Sequence, residues 1–273
     1  MPELAEVYFY AHQWTPALGD KIIRLHSHPQ TRLYRDCPAT ALEVLKNRHL
    51  TTIQTHGKQM AFGFDDDHWL VLHLGMAGKL YAGPPEWAPG KHDHLILFSD
   101  QHALVFSDYR QFGKVQIGQQ KMGPPQWNDA PPPPHLSAFD FAHFSKILRA
   151  SPRRCLKGLL LDQGAFPGVG NWMADEILWR ARLHPSATPA SLSPSQRKTL
   201  HAIVREVCLD ALRVIGSDWG DPPPSWLFPH RWKKGGICPV SGKPLHYETI
   251  AGRTTCFSPA LQKERRSAST KST

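Results

Sequence analysis

A chain of 273 residues with 41% hydrophobic side chains can bury one large core or two ordinary ones, and 32 Lys+Arg against 23 Asp+Glu leave it at +9. That balance points to a polyanionic partner, nucleic acid or an anionic surface. No apolar run approaches the roughly 20 residues of a membrane span, and the opening MPELAEVYFY lacks the regions of a secretory signal. Cysteines scattered at 37, 155, 208, 238 and 256 form no disulfide framework, so a reducing, cytoplasmic setting is expected, nucleoid-associated in a bacterium.

In chain order, residues 3–14 read as a helix. Short β-type runs follow at 22–26, 51–55, 60–64, 69–74, 79–82, 94–98, 103–107 and 114–117, separated by turn signals such as Asp65-Asp66-Asp67 and Gly83-Pro84-Pro85. Many short strands in succession predict a β-sandwich or barrel. Proline clusters at 124–125 and 131–134 place a linker at 124–138. Beyond it, 139–150, 152–162, 171–183 and 194–215 carry apolar residues at three- and four-residue spacing and read as helices. Ser193-Pro194 supplies a cap and a first-position proline for the last of them. A second cluster, Pro222-Pro223-Pro224, precedes a basic module in which 243–250 and 254–258 read as strands around Ala251-Gly252-Arg253. The polar tail 264–273 is expected to be disordered.

The N-terminus carries reactive chemistry. Proline at position 2 is small enough for an initiator methionine to be removed, which leaves a secondary amine. An α-amino group has a pKa of about 8, far below that of lysine, so much of it is neutral and nucleophilic at neutral pH. Attack on a sugar carbon gives an iminium that stays cationic without a proton and can drive elimination. Glu3 and Glu6 lie three apart on one face of the starting helix, placed to act as general acid or base and to orient the amine. The same acids would also suit the positive end of the helix dipole.

The run Pro2-Glu3-Leu4-Ala5-Glu6-Val7 resembles the opening of the formamidopyrimidine-DNA glycosylase / endonuclease VIII family, with Ala5 where a second proline is usual. Further blocks resemble that family in order. They are Gly57-Lys58, His73-Leu74-Gly75-Met76-Ala77-Gly78, His92-Asp93-His94, and Asp108-Tyr109-Arg110-Gln111-Phe112-Gly113 with Gln111 where an arginine is usual. Residues 157–163, Gly168-Val169-Gly170-Asn171 and 175–178 resemble its helix–two-turn–helix element. The resemblance implies that Pro2 is the Schiff-base nucleophile, Glu3 the general acid/base, Glu6 a supporting acid and Lys58 a phosphate contact that assists elimination. Met76, Arg110 and Phe112 would form a wedge that fills the void left by an everted nucleotide. His92 would lie near the DNA backbone. Lys157 and Asn171 would supply a charge and a donor to a phosphate beside a helix start, and Arg253 a second phosphate contact, with Arg231, Lys233 and Lys234 adding basic electrostatics.

Family members usually end in a four-cysteine zinc finger, with two Cys-x-x-Cys pairs. Here Cys238-Pro239-Val240-Ser241 and Cys256-Phe257-Ser258-Pro259 each lack the second thiol, and His246 fits the spacing poorly. A zincless finger is therefore expected, with no metal and no redox cofactor, held by packing of Trp226, Phe228, Trp232 and Tyr247. The implied fold is α+β in two domains. Residues 1–123 form the N-terminal helix plus antiparallel β-sandwich, 124–138 the linker, 139–224 the helical DNA-binding domain and 225–263 the β-hairpin finger. The implied activity is that of a monomeric, bifunctional DNA glycosylase and abasic-site lyase of base excision repair. It would remove oxidised bases from damaged double-stranded DNA, with no membrane partner. The alternative is a non-catalytic DNA-damage binding protein that retains the fold. The short segment 216–220 stands where 8-oxoguanine-specific relatives carry a longer loop, and it leaves oxidised purines and pyrimidines both open.

Overall fold

The computed structural model describes residues 1–28, 31–232 and 235–264; Lys233, Lys234 and the tail beyond 264 lie outside the described residues. The chain divides into two units, Met1–Ala130 with Gly216–Trp219, and Pro131–Ile215 with Gly220–Thr273.

The first unit holds α1 (Leu4–His12) and eight strands: β1 (Arg24–Ser27), β2 (Leu50–His56), β3 (Gln59–Phe64), β4 (His68–His73), β5 (Lys79–Gly83), β6 (Asp93–Phe98), β7 (Ala103–Ser107) and β8 (Lys114–Gln119). Two antiparallel four-stranded sheets result, ordered β1-β6-β7-β5 and β2-β3-β4-β8. The pleat of the strands decides which side chains meet. Met60, Phe62, Phe64, Leu70 and Leu72 of one sheet share a buried core with Leu80, Leu95, Leu97, Leu104 and Phe106 of the other, and with Val7, Tyr10, Ala11 and Trp14 from the α1 region. Every second residue of β3, β4 and β6 thus faces inward, as the strand pleat requires.

The outward residues of these strands are apolar too, and tryptophans cover them. Trp127 lies over Ala61, Trp69 and Val71, and Trp87 over Ile96, Phe98 and Val105. Their indole N–H groups donate to Gln59 Oε1 at 2.6 Å and to Asp93 Oδ2 at 3.0 Å, so each ring buries its body and satisfies its polar end. Trp127 belongs to the segment expected to be a linker, and the two units part within it, between Ala130 and Pro131. Its first half instead folds onto the sandwich, and its second half is bound to the other unit by the Arg205 guanidinium, which donates to the carbonyls of Pro134, Leu136 and Phe139. Proline content marked irregular backbone here, and the indole packs its first half down.

The second unit contains α2 (Phe141–Ala150), α3 (Leu156–Leu160), α4 (Asn171–Arg180), α5 (Pro194–Ala211) and an antiparallel hairpin, β9 (His246–Ile250) and β10 (Arg253–Phe257). Asp140 caps α2 by accepting the His143 amide at 2.7 Å, and Ser193 caps α5 through the Gln196 amide at 3.2 Å. The helix expected over 152–162 is reduced to α3, because the amides of Leu156 and Lys157 are held by the carbonyls of Ala187 and Pro185. Residues 172–179 of α4 are all buried, and α4 packs against α3, α5 and β10. The hairpin turn is Ala251-Gly252, both left-handed at φ 51° and 72°. This is the geometry of a two-residue turn matched to strand twist. Arg253, expected at the turn tip, is instead the first residue of β10. No helix among the described residues is long and apolar enough to cross a membrane.

Candidate functional site

The first turn of α1 brings the N-terminal acids together. Glu3 is the N-cap residue, and its amide donates to Glu6 Oε2 at 3.0 Å. Glu6 therefore holds the peptide unit that directly follows Pro2. Glu3 is only 3% exposed, and Leu4, Ala5 and Val7 anchor the turn in the core. Tyr10, one helical turn beyond Glu6, has its hydroxyl pKa pushed up to about 12 by burial first, then by Tyr81 and Glu6. Pro2 itself is half-buried. While Met1 is attached the Pro2 nitrogen is an amide; Met1 is 51% exposed.

Lys58 sits in the β2–β3 turn, where Gly57 adopts φ 59°. Helix α1 packs on β2, β3 and β5, so this turn and the N-terminus share one core. His73, at the end of β4, has its pKa lowered first by burial, then by Lys58, Lys114 and Arg35. Burial and three cations thus disfavour protonation of this imidazole, whose Nδ1 accepts the Gly75 amide at 3.0 Å. Only Lys58 was singled out by sequence. Lys114 and Arg35 belong to no local motif and are recognisable only once the strands are paired.

The residues expected to form the wedge converge in the same unit. Gly75 has φ +61°, and a Cβ built on it would lie 2.4 Å from the Phe112 carbonyl carbon. The turn at 74–78 and the loop at 108–113 therefore meet backbone to backbone, an approach that only glycine allows. Asp108 is fully buried. Its Oδ1 accepts the Arg110 amide at 3.1 Å and its Oδ2 the Gly113 amide at 2.8 Å. Arg35 Nη1 donates to the Gly113 carbonyl at 2.8 Å. Gln111, where an arginine is usual, accepts the Arg32 amide at 3.0 Å and so is committed within the protein. This rigid loop pair presents Met76 (38% exposed), Arg110 and Phe112 (49% exposed), with the Arg110 guanidinium 5.0 Å from the Phe112 ring centre. Exposed apolar side chains on a fixed backbone are what insertion between base steps requires. His92 is exposed beside them, and its carbonyl accepts the Asp108 amide at 2.9 Å. Trp219, which sequence reading passed over, is exposed and lies against Phe9 and Tyr10 of α1, with ring centres 4.8 and 5.3 Å away.

In the second unit Asn171 opens α4, and its Nδ2 donates to the Thr254 carbonyl at 2.9 Å. That bond fixes the helix start to β10 beside the exposed Arg253. Lys157 departs from its expected role. It is 0% exposed, and its ammonium donates to Asp175 Oδ1 at 2.5 Å and to the Asn171 carbonyl at 2.7 Å. Its charge points into the unit, toward the Asp175 carboxylate, and is not offered to a phosphate at the surface. Arg231 is likewise buried, on Asp175 Oδ2 at 2.6 Å, and does not add to the surface potential as expected.

The finger differs in register from its sequence reading. The Ser241 and Ser258 hydroxyls meet at 3.4 Å, and Cys238 and Leu261 pack in one cluster with Trp179, Leu227, Leu245, Tyr247 and Cys256. The knuckles that face each other are 238–241 and 258–261, so Cys256 is not a member of the second pair. Of the four aromatic residues expected to hold the hairpin, Tyr247 is in this cluster; Phe228 packs instead on Trp172 and Trp232. Burial would raise the Cys238 thiol, but hydrogen bonds from Ser241, Trp179 and Val240 outweigh it and bring the pKa to about 7. Burial drives Cys256 up to about 11. One thiol, two hydroxyls and a leucine are not a donor set for Zn²⁺. Among the described residues no group of three or more His, Cys, Asp or Glu is placed to hold a metal ion.

Residues 1–115 match the formamidopyrimidine-DNA glycosylase N-terminal domain, and residues 131–220 the formamidopyrimidine-DNA glycosylase H2TH domain. The chain is 34% identical to the formamidopyrimidine-DNA glycosylase of Thermus thermophilus, covering 97% of this chain and 99% of that protein. It is 30% identical to the enzyme of that name from Arabidopsis thaliana, covering 96% and 71%. Among solved structures, the Lactococcus lactis Fpg bound to abasic-site DNA superposes with a TM-score of 0.86 at 27% identity, over 96% of this chain and all of that one. The same protein bound to DNA containing an oxidised pyrimidine gives a TM-score of 0.86 at 28% identity with the same coverage.

Proposed function

The chain belongs to the formamidopyrimidine-DNA glycosylase family, and from that premise we propose that it is a bifunctional glycosylase and abasic-site lyase working through Pro2. The observation that carries the reading is the first turn of α1, where buried Glu3 and the Glu6 carboxylate bracket the Pro2–Glu3 peptide. Once Met1 is removed, the Pro2 nitrogen attacks C1′ of the damaged nucleotide. The C1′–N bond to the base breaks, and the base leaves with a proton from an acid. Ring opening, with proton transfer to O4′ from Glu3, leaves an iminium between Pro2 and C1′. Loss of the C2′ proton then expels the 3′ phosphate by β-elimination, and a second elimination can release the 5′ side. Glu6 orients the amine. The Lys58, Lys114 and Arg35 cluster opposes the phosphate charge beside the lesion.

The partner is damaged double-stranded DNA. Met76, Arg110 and Phe112 fill the space of the everted nucleotide, while Asn171 and Arg253 hold backbone phosphates. No step needs a metal or a redox cofactor, and the finger is proposed to hold its shape without zinc. The test is borohydride trapping on an abasic-site duplex, using metal-free protein whose N-terminal mass has been measured. A covalent adduct that disappears when Pro2 is replaced or Met1 is retained supports the reading. Absence of an adduct from DNA-binding protein with a free Pro2 amine would leave only non-catalytic damage binding.

A further inference from the structure

We infer that Asp175 is the positioning residue for the phosphate contacts of the second unit: it sets Asn171 and Arg253 in one register without itself touching DNA. This rests on the reading above that those two residues meet the DNA backbone. Asp175 lies at the middle of α4, 1% exposed. Its Oδ1 accepts from Lys157 Nζ at 2.5 Å, and its Oδ2 from Arg231 Nη2 at 2.6 Å and Nε at 3.2 Å. The same Oδ2 accepts the backbone amide of Cys256 in β10 at 3.1 Å.

These contacts form a closed circuit. Lys157 passes from Asp175 to the Asn171 carbonyl, and Asn171 Nδ2 reaches the Thr254 carbonyl. From Thr254 the chain runs two residues along β10 to Cys256, whose amide returns to Asp175. The turn ahead of Arg253 is seated as well, since a Cβ on Gly158 of α3 would lie 3.1 Å from the Ala251 Cβ. Two cations on one buried carboxylate are an inefficient route to stability, because well-packed apolar side chains often serve as well. What such a cluster supplies is geometry: charge-assisted bonds of fixed length define where a helix start and a strand stand relative to each other. A hairpin that lacks a zinc donor set has particular need of this.

The test is the salt dependence of binding to a duplex carrying a non-reactive abasic analogue. Lys157→Met is the first variant, since it leaves the neutral Asp175–Arg231 pair in place; Asp175→Asn is the second, with folding checked by circular dichroism. Each phosphate neutralised by a cation contributes about 0.9 to the slope of log affinity against log salt, so of the two contacts only Arg253 bears on the slope while both bear on affinity. If Asp175 positions both contacts, Lys157→Met lowers the slope by up to about 0.9 and weakens binding at least tenfold. Added to Asn171→Ala/Arg253→Ala, it then changes nothing further. An unchanged slope in Lys157→Met overturns the inference. So does a further drop of about 0.9 on top of Asn171→Ala/Arg253→Ala, which would make Lys157 a phosphate contact in its own right. If Asn171→Ala/Arg253→Ala retains the wild-type slope, the premise of DNA contact fails and the inference with it. Adduct trapping by Pro2 is read separately and tells that outcome apart from loss of the enzyme reading.

Discussion

Replacing Gly75 with alanine should break the wedge while leaving the nucleophile in place. The new methyl would lie 2.4 Å from the Phe112 carbonyl carbon and 2.6 Å from both the Gly113 nitrogen and the Phe112 oxygen. All three are backbone atoms, so no side chain can swing away. Restoring ordinary contact near 3.4 Å requires the two loops to part by about 1 Å, a shift that mutagenesis elsewhere associates with losses of about a hundredfold in rate. The movement is resisted by the Asp108 carboxylate on the Gly113 amide and by Arg35 on the Gly113 carbonyl. Left-handed backbone at a non-glycine residue costs about 1–2 kcal/mol and overpacking about 1–3 kcal/mol, so the loss of stability should total about 2–5 kcal/mol. Urea unfolding measures that term. Single-turnover excision of an oxidised base should fall about a hundredfold, because eversion needs Met76, Arg110 and Phe112 in place. Cleavage of a preformed abasic site, which has no base to evert, should fall by less than about tenfold on the same argument. Gly75→Ala that unfolds like the wild type and excises the base within about twofold of it would refute the argument that this backbone contact sets the wedge.

Three further outcomes are expected. Glu3→Gln keeps the buried shape but removes the acid, so base excision should drop by about 10²–10⁴ with DNA affinity retained; excision at the wild-type rate would exclude Glu3 from proton transfer. The His73 pKa is held below its ordinary value by burial and by Lys58, Lys114 and Arg35. Its contribution to stability is therefore fully present above the unfolded-state pKa of about 6.5. It is lost as pH falls through that value toward the lower folded pKa, where the protonated ring can no longer accept the Gly75 amide. Urea midpoints for wild type and His73→Gln should accordingly converge between about pH 7.5 and 5, and a constant gap would contradict the assignment. Finally, chelators should leave the melting temperature unchanged, whereas Ser241→Cys/Ser258→Cys/Leu261→Cys should bind one zinc per chain by elemental analysis, because with Cys238 it completes two facing thiol pairs. Failure to take up zinc would mean that the knuckles do not face each other as 238–241 and 258–261.

The residues proposed to carry chemistry could be picked out because each lies in a short motif that is complete in itself. A succession of short β-type runs divided by turn signals pointed to the sandwich, whereas β3, β4 and β6 are buried on both faces and their sequences do not show which side faces the core. Ser193-Pro194 marked the start of α5 for a reason local to four residues. The residues that aim the chemistry were not legible, because their roles are set by partners far along the chain. A lysine beside a glycine looks solvated until Asp175, on a different helix, is seen to face it, and Arg231 becomes an internal cation for the same reason. Cys256 drew attention as a remaining thiol, yet its side chain lies across the ladder from Tyr247 and its amide serves Asp175. The two facts belong together. With one thiol left at the knuckles, the position of the hairpin must come from contacts other than a metal. The charge-assisted bond from the Cys256 amide to Asp175, together with the Asn171 amide on Thr254, supplies a reference for β10 that zinc would otherwise provide. The phosphate contacts proposed for Asn171 and Arg253 then rest on this hub for their register.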